Sequence, residues 1–580
     1  MTASPSPSVA DHDTPAFSPQ QRVFIMLFGS IAASFVLVAV IGGLLRYCPV
    51  PFWDAWDGTL NFTMRMIEGD HPNWWVQHNE HRFIFSRLLF WLDMRFFGGT
   101  AKFLIVCNYL LVMLGYWVLM LYLKAMLPQS KERYARYLVA AVIACLSFSW
   151  IQKENLIWGF QSQFILAQAF PLAAFYLLYR STVEGSHSVR YFAGACAMGV
   201  LSMGGIISGV LTLPLMTLLA LLLSIQRRRV VVLALLTLSG LVGYFYDYVA
   251  PAHHGALGTT LVEQPANVIR FILLYLGGPI HFTPIGASEL ALFLGVLMLY
   301  LCLKHTEIAL ADRSRAALRL SLLAFMLYIG GTVLGTAGGR LKFGLAAAFW
   351  ERYMTLALAS WCVLLVLCAP QIAAGLRLKP LRSAIGLLLV PVLLAPAQLS
   401  ALIRSDSCDW QMKAALALAL GVHDGVRIKA VYPEPPVVEQ IAARAAALNL
   451  SVFALPEFKD AKADLGTVWP MATAQCIGFV DNFEITEDPR FVRVSGWLYS
   501  PSSKVPPKTI RLLDEEHHVV GHALSGGFRL DVAGVVGPKA VTSGFEGYLR
   551  SEFSTQATIL SADRGVCEVH AVPGVLKAMP

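Results

Sequence analysis

The sequence predicts a polytopic α-helical membrane protein of about 11 spans, followed by a C-terminal part that consists of an α/β connector and a β-sandwich. Charged residues are 14% of the 580 residues and apolar residues are 56%, whereas soluble globular proteins are about 25% charged. The uncharged run Val23–Leu45 exceeds the ~20 residues that cross a hydrocarbon core of ~30 Å. These observations exclude a disordered protein, a collagen and a compact cytosolic enzyme.

The charged residues divide the chain into two unlike parts. Residues 1–402 hold 28 basic and 17 acidic residues, a net charge of +11, and residues 403–580 hold 17 basic and 20 acidic residues, a net charge of −3. The first part is predicted to be embedded in the membrane and the second to be soluble. Cytoplasmic loops are enriched in Lys and Arg, so the overall charge of +8 does not require a nucleic-acid partner.

Apolar runs between polar breaks predict the individual spans. They lie at residues 23–45, 103–126, 137–151, 161–179, 191–206, 207–224, 230–246, 287–303, 317–337, 353–369 and 383–402. The Pro/Ser-rich residues 1–22 are predicted to be a disordered cytoplasmic tail. Residues 266–283, which Gly277-Gly278-Pro279 interrupts, predict a re-entrant helix, an interfacial helix or one further span.

Four short loops carry clusters of basic residues. The clusters are Lys131, Arg133 and Arg136; Arg227–Arg229; Arg313, Arg315 and Arg319; and Arg377, Lys379 and Arg382. All four lie on the cytoplasmic side if the N-terminus does. The outer side then receives residues 46–102, 151–160, 247–265, 338–352 and the C-terminal part. A true span at 266–283 would move every later loop to the opposite side of the membrane. The basic cluster Arg377, Lys379 and Arg382 would then lie outside, so it argues against such a span.

The first outer loop, residues 46–102, is rich in groups that can do chemistry. Residues 52–82 hold four tryptophans and three histidines, in the strings Phe-Trp-Asp-Ala-Trp-Asp and His-Asn-Glu-His-Arg. Trp56, Leu60, Met64 and Ile67 recur at helical spacing, so Asp57–Glu68 is predicted to lie on the membrane as an amphipathic helix. Phe83–Phe97 predicts a second such helix.

Asp54 and Asp57 are the candidate catalytic residues of this loop. They are placed at the boundary between hydrocarbon and water beside Trp53 and Trp56, where partial desolvation raises the pKa of a carboxylate and makes it a better proton acceptor. The alternative is that the tryptophans form an interfacial belt and that Asp54 caps a helix.

The Asp-bearing loop after the first span, the many spans and the outer C-terminal domain resemble the GT-C superfamily of integral-membrane glycosyltransferases. The two loop strings are similar to those of uncharacterised bacterial members. The resemblance implies a polyprenyl-phosphate sugar as donor and a first-loop acid, Asp54 or Asp57, as catalytic base. Some members carry two adjacent acids, whereas the two aspartates here are three positions apart.

On this resemblance we expect inverting transfer of a sugar to a glycan, lipid or protein acceptor at the periplasmic face of a bacterial inner membrane. Trp53, Trp56, Glu80 and His81 would contact the substrates, and Arg82 would help to hold the phosphate. A flippase or exporter of lipid-linked glycans, a membrane acyltransferase and a glycan-binding scaffold are the alternatives. A flippase would place charges within its spans, and an acyltransferase would need a histidine buried in a span, whereas the histidines are predicted to lie in loops.

Two further polar segments interrupt the apolar sequence on the outer side. Glu154, Asn155 and Gln161 predict either substrate contacts or a cluster of hydrogen bonds between helices. Arg340, Lys342, Arg352 and Tyr353 predict a site for the donor phosphate, since Arg binds phosphate through a planar fork. The alternative is that Arg352 pairs with Glu351 or extends to lipid headgroups.

The sequence assigns no metal ligands. His253 and His254, with the loop residues His71, His78 and His81, match no zinc spacing, and an oxygen-preferring ion would need more carboxylates. A divalent ion is compatible with the superfamily, but these residues give it no support.

The C-terminal part begins with the connector, residues 403–470. Helices are predicted at 409–420 and Val437–Leu448, and strands at Val426–Val431 and Ser451–Ala454. The β-sandwich, residues 471–580, is predicted from strands at Ile477–Ile485, Phe491–Leu498, Thr509–Leu513, His518–Leu524 and Ala557–Leu560. Its aromatic residues suit either sugar stacking or the core; they are Trp497, Tyr499, Phe528, Phe545 and Tyr548. Cys476 and Cys567 form either a disulfide or two free thiols, and Cys408 has no evident partner.

Overall fold

A computed structural model describes residues 17–183, 185–250, 257–311, 316–556, 558–563, 565–571 and 575–577. Residues 1–16 of the predicted tail lie outside the described residues, as do His253, His254, Arg313, Arg315 and Ala557. The first helix begins at Pro19, inside the predicted tail. Ser18 and Gln21 form a capping box that satisfies the free N–H groups of its first turn.

Helices occupy all 11 segments that the sequence predicts as spans. They are Pro19–Leu45, Lys102–Met126, Arg133–Ser147, Ser162–Val183, Ser188–Met203, Thr212–Leu222, Arg227–Phe245, Ser288–Ala311, Ala316–Arg340, Met354–Leu367 and Pro380–Leu399. By length and composition, nine helices of the described chain could cross a membrane, or ten if the bent pair Glu351–Leu367 and Ala369–Leu378 is one span. One of the nine, Pro435–Ala454, belongs to the C-terminal part. The apolar helices indicate a multi-pass membrane protein.

Residues 266–283 do not form a further span. The helix there, Pro265–Gly277, has 13 residues, and a helix of that length covers only ~20 Å of a ~30 Å core. The end of this region and the short helix before it both contact segment 338–353: the His281 ring stacks on the Phe349 ring, and the Thr260 hydroxyl donates to the Gly338 carbonyl. The interfacial or re-entrant alternative therefore fits the structure.

The segments that the sequence assigns to the outer side meet at one end of the helix bundle. Contacts across this end include Gln77 with Val249, Glu80 with Arg340, Glu154 with Arg352, and Arg46 with Ile403. At the opposite end, Arg133 lies over the ring of Phe17, next to the start of the first helix. Short helical segments make the connections: Ser130–Glu132, Trp150–Gln152, Lys153–Ile157, Gly159–Gln161, Ile207–Leu211, Leu257–Glu263, Gly278–Phe282, Leu341–Phe343, Leu345–Phe349, Glu351–Tyr353 and Ser400–Leu402.

The first loop folds into a π-helix, Trp56–Asn61, followed by the helices Phe62–Ile67, His71–Trp74 and Ile84–Phe96. The helix predicted at Asp57–Glu68 is thus present, but its apolar side does not face a membrane. Trp56, Leu60 and Met64 are fully buried in one core with residues from the 414–461 region. An apolar stripe fits a protein surface as well as a bilayer, and here the C-terminal part supplies that surface.

Residues 403–470 form a helical module, and the predicted α/β connector is wrong. The helices are Ser407–Leu420, Gly425–Ile428, Pro435–Ala447, Ser451–Ala454 and Ala461–Asp464. The strands predicted at Val426–Val431 and Ser451–Ala454 are helical turns, because the Asp424 carboxylate accepts a hydrogen bond from the Arg427 N–H and starts a helix there. Short apolar runs do not distinguish a strand from a buried helical turn.

In the sheet domain, residues 471–580, the described residues form one eight-stranded sheet rather than the two sheets of the predicted sandwich. The strands are β1 (Ile477–Ile485), β2 (Phe491–Tyr499), β3 (Thr509–Leu513), β4 (Val519–Gly527), β5 (Gly544–Arg550), β6 (Thr558–Ala562), β7 (Cys567–Ala571) and β8 (Val575–Lys577), in the order β7-β6-β3-β4-β5-β2-β1-β8. All neighbours are antiparallel except β1 and β8. Short helices at Leu530–Val536, Pro538–Thr542 and Ser551–Phe553 complete the domain.

The sheet curls until the start of β1 reaches β7. The Cys476 N–H donates to the Glu568 carbonyl, and a disulfide joins Cys476 to Cys567 with 5.1 Å between the Cα atoms. Of the two alternatives left open for these cysteines, the structure has the disulfide, and it closes the sheet on itself. Phe545 is buried in the core of the sheet domain, and Tyr548 is buried where the sheet packs against the helical module, so both are core residues, as one of the two interpretations expected.

Buried ion pairs fix the sheet domain to the helical module. Arg493 of β2 contacts the Asp424 carboxylate at 2.7 Å, and the same carboxylate accepts a hydrogen bond from the Tyr548 hydroxyl. Arg427 makes two hydrogen bonds to the Glu546 carboxylate. Paired charges at low exposure resist separation, because either partner alone would be a buried, uncompensated charge.

Candidate functional site

The acidic residues of the first loop gather around the imidazole of His78. The His78 side chain is half-buried, with its Nε2 shielded from solvent, and its ring lies 5.2 Å from the Phe83 ring and 5.9 Å from the Phe160 ring. Burial lowers the pKa of His78, and the negative charges of Asp54, Asp57 and Glu80 oppose that effect. Burial therefore favours the neutral form of His78, and the nearby carboxylates favour its charged form. Sequence reasoning considered it only as a metal ligand, although the His-Asn-Glu-His string marked its position.

Gly58 permits this arrangement because its neighbours leave no room for a side chain. A Cβ atom at this position would lie 2.5 Å from Cε2 of Phe160 and 3.6 Å from Cε1 of His78. The helical turn that carries Asp54 and Asp57 therefore packs directly against the aromatic residues that hold His78.

Asp54 and Asp57 are both half-buried, but they differ in their partners. Oδ1 of Asp57 accepts a hydrogen bond of 3.1 Å from the side-chain amide of Asn61. Within the described part of the chain, the Asp54 carboxylate has no hydrogen-bond partner, so it is the freer proton acceptor. Trp53 is 46% exposed next to it. Trp56 is fully buried against Phe453, so its predicted contact with substrate is corrected: it anchors the loop.

The helical module contributes a residue that sequence reasoning missed. The Trp53 N–H donates to the Val431 carbonyl at 2.8 Å, which places Tyr432 beside the two aspartates. Burial, followed by the negative charges of Asp57 and Asp54, raises the pKa of Tyr432 to about 12. The hydroxyl is thus protonated and can donate a hydrogen bond. No local sequence signal marks Tyr432, because only tertiary packing brings it to the loop.

A disulfide holds the module to the loop. Cys48, just after the first helix, is bonded to Cys408, with 5.3 Å between the Cα atoms and 360 residues between them in the sequence. The expectation that Cys408 lacks a partner is therefore wrong. Cysteines so far apart in sequence give no pairing signal of their own.

Arg340 reaches the first loop from the end of a membrane helix. Its guanidinium lies 3.6 Å from the Glu80 carboxylate, and both side chains are about one-fifth exposed. Lys342 does not join this pair: it is exposed, with its ammonium 4.9 Å from the Phe343 ring centre. The basic residues predicted as one phosphate site therefore separate, and only Arg340 lies near the first-loop acids.

Arg82 and His81 hold the loop in place. Arg82 is 3% exposed, and its guanidinium donates to the carbonyls of Trp75, Tyr244, Tyr246 and Asp247. This corrects its predicted role in phosphate binding, because these backbone groups engage four of its N–H bonds. His81 accepts a hydrogen bond of 3.2 Å at Nδ1 from the Ile207 N–H, which positions the loop against the neighbouring helix.

The second polar segment forms its own cluster. Arg352 lies 3.4 Å from Glu154, to which Gln161 also donates, and Lys153 pairs with Glu351 at 2.5 Å. Arg352 therefore pairs with Glu154 and not with Glu351, which was one of the alternatives.

Two of the predicted residues near this cluster are structural. Asn155 is fully buried and donates to the Arg352 carbonyl and the Thr355 hydroxyl. Of the two interpretations of this residue, the structure therefore fits hydrogen bonds between helices. Tyr353 is 5% exposed and stacks between Tyr275 and Trp350. Its predicted phosphate contact is therefore corrected to a packing role.

Two cavities open near these clusters. One of about 400 Å³ lies between the first loop, residues 153–160 and the helical module; Phe52, Ala55, Asp93, Glu154, Trp158 and Gln411 are among its lining residues. The other, about 520 Å³, is lined by Arg270, His281, Glu289 and Phe349 among others. Ala55 and Thr59 line the first cavity, whereas Asp54 and Asp57 lie on a different side of the same turn.

Within the described residues, one group of three side chains is close enough to share a metal ion. It consists of Asp514, Glu516 and His518 in the exposed turn between β3 and β4. The ligand atoms of His71, His78, His81 and the first-loop acids do not approach one another in this way.

The site thus combines the Asp54 carboxylate, the His78 imidazole, the protonated Tyr432 phenol and the Arg340 guanidinium at the end of apolar helices. This set can accept a proton at Asp54 and offer positive charge to an anion at Arg340. No family model matches this chain, and no curated protein matches it.

Proposed function

We propose that this protein is an inverting membrane glycosyltransferase that moves a sugar from a polyprenyl phosphate to a hydroxyl group of a glycan, lipid or protein. The observation that carries the proposal is the unpartnered Asp54 carboxylate beside Asp57 and His78, next to the Glu80–Arg340 pair at the end of the membrane helices. A lipid-anchored donor would reach this site from the bilayer while the acceptor enters from water.

In the proposed reaction the acceptor oxygen attacks C1 of the sugar from the face opposite the phosphate. The new C1–O bond forms as the C1–O bond to phosphate breaks, and the electron pair leaves on the polyprenyl phosphate. Asp54 takes the acceptor proton, as a general base does. Arg340 stabilises the charge that develops on the phosphate, and Glu80 holds Arg340 in place. Asp57 is the alternative base.

The two disulfides and the basic loops support a proposed location. Disulfides persist in oxidising compartments, and Cys48–Cys408 and Cys476–Cys567 both lie on the side of the first loop. The basic loops then face the cytoplasm. We therefore place the site on the periplasmic face of a bacterial inner membrane.

A membrane acyltransferase is the second candidate, because one observation favours it. The expectation that every histidine lies in a loop is wrong: His305 lies within the apolar helix Ser288–Ala311, is 3% exposed and approaches Sγ of Cys368 at 3.3 Å. However, His305 lines neither of the two cavities described above. A flippase has less support, because the Glu80–Arg340, Glu154–Arg352 and Lys153–Glu351 pairs lie together at one end of the bundle rather than along it.

The test is transfer from defined donors by the purified protein in lipid nanodiscs. A set of polyprenyl-phosphate sugars is offered with a cell-envelope acceptor extract, and NMR reports the anomeric configuration of the product. We expect release of polyprenyl phosphate and inversion at C1. Retained configuration, or no transfer from any donor, would contradict the proposal. Acyl transfer that His305→Gln abolishes would establish the second candidate instead.

A further inference from the structure

The cavity of about 400 Å³ carries a set of hydrogen-bonding groups that nothing in the proposed reaction uses. Asp93 is 1% exposed, and its Oδ2 accepts a hydrogen bond from the Ala101 N–H, while no described residue donates to its Oδ1. Thr59 is 8% exposed, and its hydroxyl is also without a partner. Both residues line the cavity, so its wall holds an acceptor and a hydroxyl that protein groups leave unsatisfied.

Donors are available in the same wall. The indole N–H of Trp158 and Nε of Arg46 have no hydrogen-bond partner within the described chain. The side-chain amide of Gln411, from the helical module, also lines the cavity and is half-exposed. Buried polar groups are rarely left without partners, so this mixed set of donors and acceptors points to a ligand that offers both.

The charges around the cavity indicate a neutral ligand. Lys153 is paired with Glu351 and Glu154 with Arg352, so these four charges are already compensated. Arg46 and Asp93, which have opposite charges, both line the cavity. A phosphate or other anion would meet the carboxylate of Asp93, and a cation would meet Arg46.

The shape and the aromatic rings of the cavity agree with this. The Trp158 ring lies 5.5 Å from the Phe52 ring in an edge-to-face arrangement, and both residues line the cavity. Aromatic faces cover the apolar faces of a ligand, and the indole N–H adds a polar contact. The volume is at the small end of the ~300–1,000 Å³ typical of small-molecule sites, which suits a compact ligand rather than a polymer.

We propose that this cavity binds a neutral, hydroxylated ligand of the size of a single sugar unit, in a site separate from Asp54 and Asp57. Hydroxyl groups of the sugar would donate to Asp93 and Thr59 and accept from Trp158, Arg46 and Gln411. The helical module forms one wall, so occupancy of this site also requires that the module is docked. The proposal concerns binding and does not depend on the transfer reaction.

The experiment is saturation-transfer difference NMR on the full chain in lipid nanodiscs, since sugar-headed detergents would compete. The probes are glucose, galactose, mannose and N-acetylglucosamine, with glucuronate, glucosamine and geranyl phosphate as charged or lipid-like comparisons. We expect at least one neutral sugar to bind. Trp158→Phe keeps the ring and removes the N–H, and Asp93→Asn keeps the size and removes the charge. Each should weaken binding at least tenfold.

The matched control is Trp117→Phe, which changes an exposed tryptophan of a membrane helix and should bind sugar as the wild type does. Thermal melting shows that each variant is folded, and Gln411→Ala replaces any variant that is not. The proposal is overturned if no neutral sugar binds, if the folded cavity variants bind as tightly as the wild type, or if the charged probes or geranyl phosphate bind in preference. A protein that binds sugar but transfers none would remove only the proposed function.

Discussion

The Trp53 N–H donates a hydrogen bond of 2.8 Å to the Val431 carbonyl, and this contact joins the membrane part of the chain to its C-terminal part beside Asp54. The same interface brings Tyr432 to the two aspartates and buries Trp56 against Phe453. The helical module is therefore a wall of the candidate site rather than a distant appendage. Changes that loosen the module should act on the site.

The Cys48–Cys408 disulfide is expected to stabilise this interface. It closes a loop of 360 residues, and disulfides of long loops typically contribute ~2–4 kcal/mol. Cys408→Ser should therefore lower the thermal midpoint and reduce transfer, because Tyr432 and Val431 dock less firmly. Thermal melting with and without reductant measures this. The double variant Cys48→Ser/Cys408→Ser should melt like Cys408→Ser, and a wild type that does not respond to reductant would contradict the prediction.

The buried pair Asp424–Arg493 is expected to be essential for docking the sheet domain. Arg493→Ala leaves the Asp424 carboxylate, which is 2% exposed, without its charged partner, and such a loss costs ~3–5 kcal/mol. Arg550→Ala is the matched control, because Arg550 and its partner Glu552 are 39% and 68% exposed and exposed pairs contribute ~0–1 kcal/mol. Chemical unfolding followed by far-UV circular dichroism compares them. Equal losses from the two changes would argue against this account.

The imidazole of His78 is expected to make folding sensitive to acid. Burial lowers its pKa in the folded chain, so as the pH falls through ~6.5 the unfolded chain binds a proton that the folded chain does not. Stability is therefore lost below that pH, by at most ~1.4 kcal/mol per pH unit. His78→Gln should reduce the difference in stability between pH 7.5 and pH 5.0. His570 is exposed, so His570→Gln should keep the wild-type difference; the same slope in His78→Gln would refute this assignment.

Glu80 and Arg340 are expected to act as a unit in transfer. Glu80→Gln releases Arg340 from the 3.6 Å contact that positions it, so turnover should fall about 10-fold or more, and Arg340→Gln should have an effect at least as large. Contacting residues show interaction energies of ~0.5–3 kcal/mol. The activation free energy lost by the double variant should therefore be smaller than the sum of the losses in the two single variants. The measurement is the initial rate of transfer by the wild type, the two single variants and the double variant, which together form a double-mutant cycle. Strict additivity would show that the two residues act separately.

The membrane helices were predictable because uncharged runs longer than ~20 residues have few alternatives. The side of each loop stays a prediction from the basic clusters, and contacts such as Gln77 with Val249 bring the segments predicted to be outside together. The apolar stripe of Trp56 was visible too, but its partner was not. A helix that buries one side against protein has the same sequence pattern as one that lies on a bilayer.

The rest depends on contacts between residues that are far apart in the sequence. Nothing near Cys408 or Tyr432 indicates that each meets the first loop. β5 was missed because Gly544 and Gly547 interrupt its alternation, and glycine weakens a strand pattern. Arg82 was misassigned because composition cannot show that its guanidinium faces four backbone carbonyls.

The central claim is that Asp54 is the general base, and the turnover number of Asp54→Asn tests it most directly. Asn keeps the shape of the side chain and removes its ability to take a proton, and loss of a general base costs ~10²–10⁴ in rate. The measurement is transfer from a saturating donor in membranes that hold equal amounts of wild type, Asp54→Asn, Asp57→Asn and the exposed control Glu515→Gln. We expect at least a ~100-fold loss for Asp54→Asn, a smaller loss for Asp57→Asn, whose carboxylate is already bonded to Asn61, and none for Glu515→Gln. A loss of less than ~100-fold in both Asp54→Asn and Asp57→Asn would contradict the account.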